Sequence, residues 1–310
     1  MLNLLAQIPL EAERYPAADA LGFLGSVFTN SSVVAVIVML IILLLARNAT
    51  KKMELVPGRG GQNVFEMLVE SVYSMIEGVV GRHMVAKTFP LLATFFIFIL
   101  FSNWFGLLPG VGTVGFGHRS GAMGNLEHVH TPLLRPANAD LNLTLGMALI
   151  FSVFWIIWSF QELGVGGFFG HIFGPKGGVK GFLAYALMPI FIFVGIIEVI
   201  SIAFRPVSLS LRLFGNIYAG ENLMHTMGSL GAGLPAPFPF LLGVIIPIPF
   251  YFLELLVGVV QALVFTLLCA VYIQLTTTHE GGDHAEHAAH DEGHAHSRSA
   301  TTETVAVPAH

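Results

Sequence analysis

Residues 189–228 read PIFIFVGIIEVISIAFRPVSLSLRLFGNIYAGENLMHTMG, a stretch of 40 mostly apolar residues with a few charged side chains. As one helix it would be about 60 Å long at 1.5 Å per residue, whereas the hydrocarbon core of a bilayer is about 30 Å thick. Pro206 is the strongest interruption, and a proline inside a helix can kink it without ending it. The sequence therefore predicts one long helix that tilts steeply, bends, or runs partly along a membrane.

The composition is that of a membrane protein. Of the 310 residues, 55% are hydrophobic and 11% are charged, and the mean hydropathy is +0.76. Soluble domains carry about 25% charged residues, so this chain has too little polar surface to cover a water-exposed globule. The single cysteine, Cys269, excludes an internal disulfide and a cysteine-based metal cluster, and its apolar neighbours predict an ordinary buried helix position. We predict an all-α integral membrane protein.

Four other uncharged stretches are long enough to span a bilayer, which takes about 20 apolar residues. They are Ala20–Ala46, Phe89–Gly117, Leu141–Gln161 and Leu255–Thr278. With the long helix they give about five spanning helices. The last stretch belongs to a second long helix over residues 240–275, and the two long helices form a steeply tilted C-terminal hairpin around a glycine- and proline-rich turn at 229–239.

Residues 62–85 have the pattern of an amphipathic helix. One side is apolar and the other is polar: Phe65, Leu68, Val69, Val72, Ile76 and Val79 against Glu66, Glu70, Ser74 and Glu77. This pattern suits a helix that lies in the membrane interface. A soluble helical cap is the alternative.

The positive charges predict the orientation. Residues 47–87 contain six lysines and arginines, whereas residues 109–139 contain two. Cationic loops stay on the cytoplasmic side, so we expect the N-terminus outside and the C-terminus in the cytoplasm. Residues 1–30 then form an N-terminal segment, residues 31–278 a membrane-embedded domain, and residues 279–310 a histidine-rich tail.

Ionisable residues on the first long helix carry the functional signal. At 100° per residue, Glu198, Arg205, Arg212 and Asn216 fall on one stripe, because they are spaced by seven, seven and four residues. Glu221 lies nine residues beyond Arg212 and points to the opposite face. Charged side chains in a membrane usually face a cavity or a partner, because they cost at least ~2.5 kcal/mol at the bilayer centre.

The second long helix adds Glu254 and Gln261, which are seven residues apart and share a face. Arginine cannot lose its proton in a protein, so an intramembrane arginine is a fixed positive charge that attracts a carboxylate and blocks passing protons. Nearby glutamates exchange protons with water. The structural alternative is a buried arginine–glutamate pair that only locks helix packing.

Four segments carry a family resemblance. The most specific is RPVSLSLRLFGNIYAGE at residues 205–221, and it is accompanied by SNWFGLLPG at 102–110, ANADLNLT at 137–144 and QALVF at 261–265. Together they resemble the a subunit of the membrane (Fo) sector of F-type ATP synthases over roughly residues 30–276.

The resemblance implies roles for particular residues. Arg212 matches the essential arginine that faces the carboxylates of the rotating c-ring, between two offset aqueous half-channels. Asn216 and Gln261 match its polar neighbours. The positions that line the ion path are Glu221 and Glu254, and Glu198 matches a polar site linked with access to the cytoplasmic side.

One feature departs from the family pattern. The two path positions are often a histidine and an acid, whereas this chain has glutamate at both. His225 lies one turn beyond Glu221, where it is either a proton relay or a polar residue near the helix end.

The resemblance also implies partners and a location. These are the c-ring, the b subunits and, indirectly, the soluble catalytic head, in a cell inner membrane, with protons or sodium ions as the transported species. The chain contains no GxxxxGK[ST] loop, so we expect no nucleotide site, no enzymatic activity of its own and no cofactor, and no nucleic-acid partner is implied.

The tail contains seven histidines among acids and alanines. Imidazole is a common ligand of transition metals, but the spacing is irregular, so we expect a solvated, disordered tail and no metal site.

Two other functions fit the charged helices. A secondary transporter also holds charges in broken helices near the midplane, but it would favour an inverted repeat, and the sequence has none that is apparent. A non-conducting membrane scaffold would keep full activity when Arg212 is neutralised.

Overall fold

The structure is a computed structural model of the whole chain. It describes residues 29–51, 61–108, 111, 115–116, 131–132, 134–174, 187–229, 243 and 245–277. The histidine-rich tail, most of the turn at 229–239 and the side chain of His225 lie outside the described residues.

The described residues form six long helices and two very short strands. The helices are α1 Asn30–Thr50, α2 Gly61–Val80, α3 Arg82–Gly106, α4 Leu141–Phe173, α5 Met188–Ser229 and α6 Pro247–Thr277. The strands β1 Gly115–Phe116 and β2 Thr131–Pro132 pair antiparallel, and a 3-10 helix spans Ala137–Ala139. Five helices, all except α2, are long and apolar enough to cross a membrane. The predicted all-α membrane fold is confirmed.

The first spanning helix begins later than the apolar stretch from Ala20 to Ala46. A capping box at Thr29 sets its start, because the Thr29 side chain accepts from the Ser32 N–H while the Ser32 side chain accepts from the Thr29 N–H. The helix then continues to Thr50. Local hydrogen bonding therefore fixes where α1 begins, and hydropathy alone does not reveal it.

A glycine separates the amphipathic helix from the next span. Gly81 has φ +84°, which is a left-handed conformation that favours glycine, and its N–H bonds to the carbonyl of Glu77 at 2.9 Å. The predicted helix over 62–85 is therefore wrong at its end, since residues 82–85 already belong to α3. Within α2, Val72 and Ile76 of the predicted apolar stripe are buried, and so is Val80, which lies outside that stripe.

The second span differs from the stretch Phe89–Gly117 at both ends. It starts at Arg82, includes Pro90 as an interior residue, and ends at Gly106. The third span starts at Leu141 as predicted, because the Asp140 side chain caps it by accepting from the N–H of Asn142 at 2.9 Å. It runs past Gln161 to Phe173, with a kink at Gly164, where φ is +69°.

The first of the two long helices matches its predicted bounds closely, and the second matches at its C-terminal end. The α5 helix has 42 residues and passes through Pro206 without ending, which makes it about 63 Å long. The α6 helix has 31 residues and begins with Pro247 in its first turn, a position where proline is tolerated because the first N–H groups have no helical partner. The helix predicted over 240–275 therefore starts later, at the proline.

The core lies where α3 and α6 pack against each other, with α2, α4 and α5 around them. Phe95 of α3 and Phe265 of α6 meet edge to face at 5.8 Å between ring centroids. Cys269 is fully buried in the same cluster, as predicted. Few of the side chains in the apolar parts of α1 and α5 are buried, and many of the exposed ones are large and apolar. Such surfaces are stable in lipid and costly in water.

Candidate functional site

The α5 and α6 helices meet through a hydrogen bond between two of the predicted polar residues. Nδ2 of Asn216 donates to Oε1 of Gln261 at 2.5 Å. Gln261 is 3% exposed, so its amide is held inside the protein, where an unpaired polar group would be costly. The structure thus brings these two predicted neighbours of Arg212 together.

A second contact lies eleven residues away along both helices. The guanidinium of Arg205 sits between two aromatic rings, 5.0 Å from the centroid of Trp155 and 4.8 Å from that of Tyr272. Going from Asn216 to Arg205 moves towards the start of α5, and going from Gln261 to Tyr272 moves towards the end of α6. The two helices therefore pack antiparallel, which confirms the hairpin packing.

The rings of Trp155 and Tyr272 form a clamp around Arg205, and a hydrogen bond holds this clamp together. Nε1 of Trp155 donates to the main-chain carbonyl of Tyr272 at 2.9 Å, so α4 and α6 are tied together on either side of the arginine. A cation over an aromatic face contributes about 0.5–2 kcal/mol. The sequence placed Arg205 on the same stripe as Arg212, but it gave no sign that aromatic residues of two other helices enclose it.

Arg212 lies between these contacts and has a different environment. Its side chain is exposed, and among the described residues no acidic side chain lies within ion-pair distance of it. The exposed residues next to it on the same face of α5 are Ser208, Gly215 and Asn216, and the large apolar side chains of Phe204 and Leu211 are exposed to one side. Arg212 is therefore an outward-facing positive charge on a helix that is apolar enough to cross a membrane.

Glu254 of α6 reaches α5 at a glycine. A Cβ atom on Gly220 would overlap all three atoms of the Glu254 carboxyl group. The carboxyl group therefore lies against the backbone of α5, on the turn that carries Glu221. Glu221 and Glu254, two predicted path residues from different helices, are thereby brought to the same turn of α5. The absence of a side chain at Gly220 leaves room for the Glu254 carboxyl group.

Glu221 faces an arginine from a distant segment. Nε of Arg135 lies 3.7 Å from Oε2 of Glu221, and the Arg135 side chain is almost completely buried while that of Glu221 is 21% exposed. The sequence had suggested a role for Arg135 only as one of the charges that set orientation. The nearby motif at residues 137–144 is the one signal that marked this part of the chain.

The segment that carries Arg135 is held in place by buried amides. Nδ2 of Asn138 donates to Oδ1 of Asn103 at 2.7 Å, and Nδ2 of Asn103 donates to the carbonyl of Gly258 at 3.1 Å. These bonds link the 3-10 helix to α3 and α6. Because residues 135–140 are all buried, the position of Arg135 is defined by packing on every side.

Glu198 lies apart from the other acids. It is 23 residues before Glu221 on the same helix, a separation of about 35 Å at 1.5 Å per residue, and its side chain is half-buried. The acids therefore occupy two regions of α5, one near each end, with Arg212 between them.

The family model and the relatives that match this chain carry the same description, the a subunit of ATP synthase. The family model described as ATP synthase A chain matches residues 30–274. The ATP synthase subunit a of Protochlamydia amoebophila is 31% identical over 249 residues, which is 80% of each chain. That of Campylobacter jejuni subsp. doylei is 34% identical over 258 residues, 83% of this chain and 92% of the relative. That of Moorella thermoacetica is 34% identical over 225 residues, 73% and 80% of the two chains.

These matches cover nearly all of the described helices, including α5 and α6 with their polar contacts. They confirm the resemblance that the RPVSLSLRLFGNIYAGE segment carried. The molecule is a multi-pass membrane protein and a non-catalytic subunit, and it belongs to the ATP synthase A chain family, the a subunits of the Fo sector of F-type ATP synthases.

Proposed function

We propose that this chain is the ion-translocating stator subunit of an F-type ATP synthase in a cell inner membrane. It passes protons or sodium ions to and from a rotating ring of c subunits through two offset half-channels. The b subunits hold it in the stator, and rotation of the ring drives the soluble catalytic head. Ion flow is thereby coupled to ATP synthesis.

The observation that carries this proposal is the position of Arg212. An arginine at the bilayer centre costs at least ~2.5 kcal/mol on insertion scales. Among the described residues no acidic side chain lies within ion-pair distance of Arg212, although Arg212 is exposed on a helix that is apolar enough to cross a membrane. The compensating carboxylate is therefore expected on another chain, and a carboxylate of the c-ring fits this requirement.

The two groups of acids suit two half-channels. Towards one end of α5, Glu221 and Glu254 share a turn of that helix, one to two turns beyond the Asn216–Gln261 pair. Glu198 lies near the other end. From the charge distribution of the loops we expect the Glu221 end of α5 outside and the Glu198 end in the cytoplasm. An ion that enters at one end can reach the other only by way of the ring.

The mechanism follows from electrostatics. An ion from the outer half-channel neutralises a ring carboxylate, which then turns through the lipid. When that carboxylate comes round to Arg212, the fixed positive charge favours its ionised form, and the ion leaves past Glu198. The membrane potential supplies about 2.3 kcal/mol per charge per 100 mV. Arg212 also repels cations that would pass directly between the half-channels.

Substitution of Arg212 tests this function. In membranes where assembly is verified by immunoblotting of the partner subunits, Arg212→Ala should abolish ATP-driven ion pumping and ATP synthesis, and it should raise passive leak. Arg212→Lys should also be badly impaired, since lysine lacks the planar fork and loses its proton when desolvated. Arg82→Ala is the control, because the side chain of Arg82 is 94% exposed at the start of α3.

A scaffold would behave differently. It would assemble poorly without Arg212 and keep substantial function with lysine in its place. Near-normal coupled pumping by assembled Arg212→Ala complexes would overturn the proposed function.

A further inference from the structure

Arg135 and Glu221 form an ion pair that joins a buried segment to the outer end of α5. Arg135 precedes Glu221 by 86 residues, and its Nε lies 3.7 Å from the Glu221 carboxylate. The side chain of Arg135 is 2% exposed. Among the described residues it is the largest side chain that is fully buried.

Burial of an arginine at this place needs a specific reason. The guanidinium stays charged, and removal of a charge from water costs several kcal/mol unless a partner compensates it. The segment could bury an apolar residue here at no such cost, as it does at Ala137 and Ala139, both 0% exposed. The charge is instead placed beside an acid of the ion path.

Two acids of the proposed path reach the same turn of α5. The Glu254 carboxyl group lies against Gly220, the residue before Glu221. Two carboxylates that share a site repel each other when both are ionised. A fixed positive charge beside one of them offsets this repulsion, and Arg135 supplies it from an element that is separate from α5 and α6.

The supporting bonds make Arg135 a rigid support. Asn138, three residues further on, is tied to Asn103 and thereby to Gly258 of α6. The Asp140 carboxylate caps α4. Arg135 directly precedes this network, three residues before Asn138, so the backbone that carries it is anchored to α3, α4 and α6.

We propose that Arg135 is a positioning residue of the outer ion path, which orients the Glu221 carboxylate and balances its charge so that Glu221 and Glu254 can serve the path side by side. This inference rests on the proposed function, in which both acids exchange the transported ion. Arg135 itself does not carry the ion, because it keeps its charge throughout.

The test is ATP-driven pumping by the intact complex in membranes, normalised to the amount of assembled complex. Arg135→Gln should lower the rate several-fold, because it removes the positive charge that lies 3.7 Å from the Glu221 carboxylate. Arg135→Lys keeps a positive charge and should restore most of the rate. In a Glu221→Gln background, adding Arg135→Gln should change the rate less than about twofold, since a pair of coupled residues shows strongly non-additive effects.

Two outcomes would overturn the inference. One is a several-fold loss from Arg135→Gln in the Glu221→Gln background, which would show that Arg135 acts elsewhere. The other is a rate for assembled Arg135→Gln complexes equal to that of the unmodified protein. If Arg135→Gln alone fails to assemble, the decisive comparison is between Glu221→Gln and the double variant, in which neither residue of the pair is charged.

Arg212→Ala in the same membranes separates the two proposals. Loss of pumping in Arg212→Ala together with normal pumping in Arg135→Gln would reject only the role of Arg135. Normal pumping by assembled Arg212→Ala complexes would reject the proposed function and this inference with it.

Discussion

The carboxyl group of Glu254 lies directly against Gly220, and this contact places an acid of α6 on the turn of α5 that carries Glu221. The register that allows it is fixed further along both helices by the hydrogen bond from Asn216 to Gln261. A side chain at position 220 would fill the space that the carboxyl group occupies. The geometry of the proposed ion path therefore depends on the absence of a Cβ atom there.

Gly220→Ala should lower ATP-driven pumping by between about tenfold and about 100-fold, the range expected when a functional group is displaced by about 1 Å. The substitution favours the helix itself by about 1 kcal/mol, so the loss must come from the displaced Glu254. The measurement is pumping per assembled complex. Gly146→Ala is the matched control, because a Cβ there meets nothing within 4 Å. Equal effects of the two variants would show that the contact does not matter.

Neutralisation of the two acids should reduce ion flux. Glu221→Gln and Glu254→Gln are each expected to slow pumping several-fold, with partial activity left because the other acid offers a route. The reason is that a carboxyl group inside apolar helices is costly and is expected to serve the path. Glu70→Gln on the exposed face of α2 is the control. Normal pumping in the double variant would exclude both acids from the path.

The clamp around Arg205 should contribute to stability rather than to ion flux. Tyr272→Leu removes one ring from the guanidinium and should cost about 0.5–2 kcal/mol, seen as a lower temperature of thermal inactivation for the solubilised complex. Tyr272→Phe keeps the ring and should change little. Phe154→Leu is the control, since Phe154 is exposed on the same helix as Trp155. A Phe variant as unstable as the Leu variant would argue against the cation–π contact.

Labelling of single cysteines should establish the orientation. In a Cys269→Ala background, cysteines at positions 60 and 290 should react from the cytoplasmic side, and one at position 120 from the opposite side. Two contacts agree with this arrangement of the two sides: Lys87, near the start of α3, pairs with Glu162 of α4 at 2.7 Å, and Arg135 meets the C-terminal part of α5. Reaction of positions 60 and 290 from opposite sides would reject the predicted topology.

Helix ends show where sequence patterns stop being sufficient. Hydropathy identified the apolar stretch from Ala20 to Ala46, yet α1 begins at the Thr29 capping box. The amphipathic helix was predicted to run through residue 85, yet α2 ends before Gly81, whose positive φ turns the chain. Both boundaries depend on hydrogen bonds and backbone angles of single residues, which an averaged property of the sequence does not resolve.

The sequence by itself determined the five spanning helices, one of which is the long helix through Pro206. In lipid, every backbone N–H and C=O must be satisfied within the helix, so an apolar stretch of sufficient length has one stable form. Helical periodicity also placed Arg212 and Glu221 on opposite faces.

Only the tertiary structure decided what those faces meet. Three contacts join residues from separate elements. They are the pairing of Glu221 with Arg135, the rings of Trp155 and Tyr272 around Arg205, and the packing of Glu254 against Gly220. Periodicity gives the direction in which a side chain leaves its own helix, but it carries no information on which helix lies there or in what register. Those depend on how all the packed surfaces fit together at once.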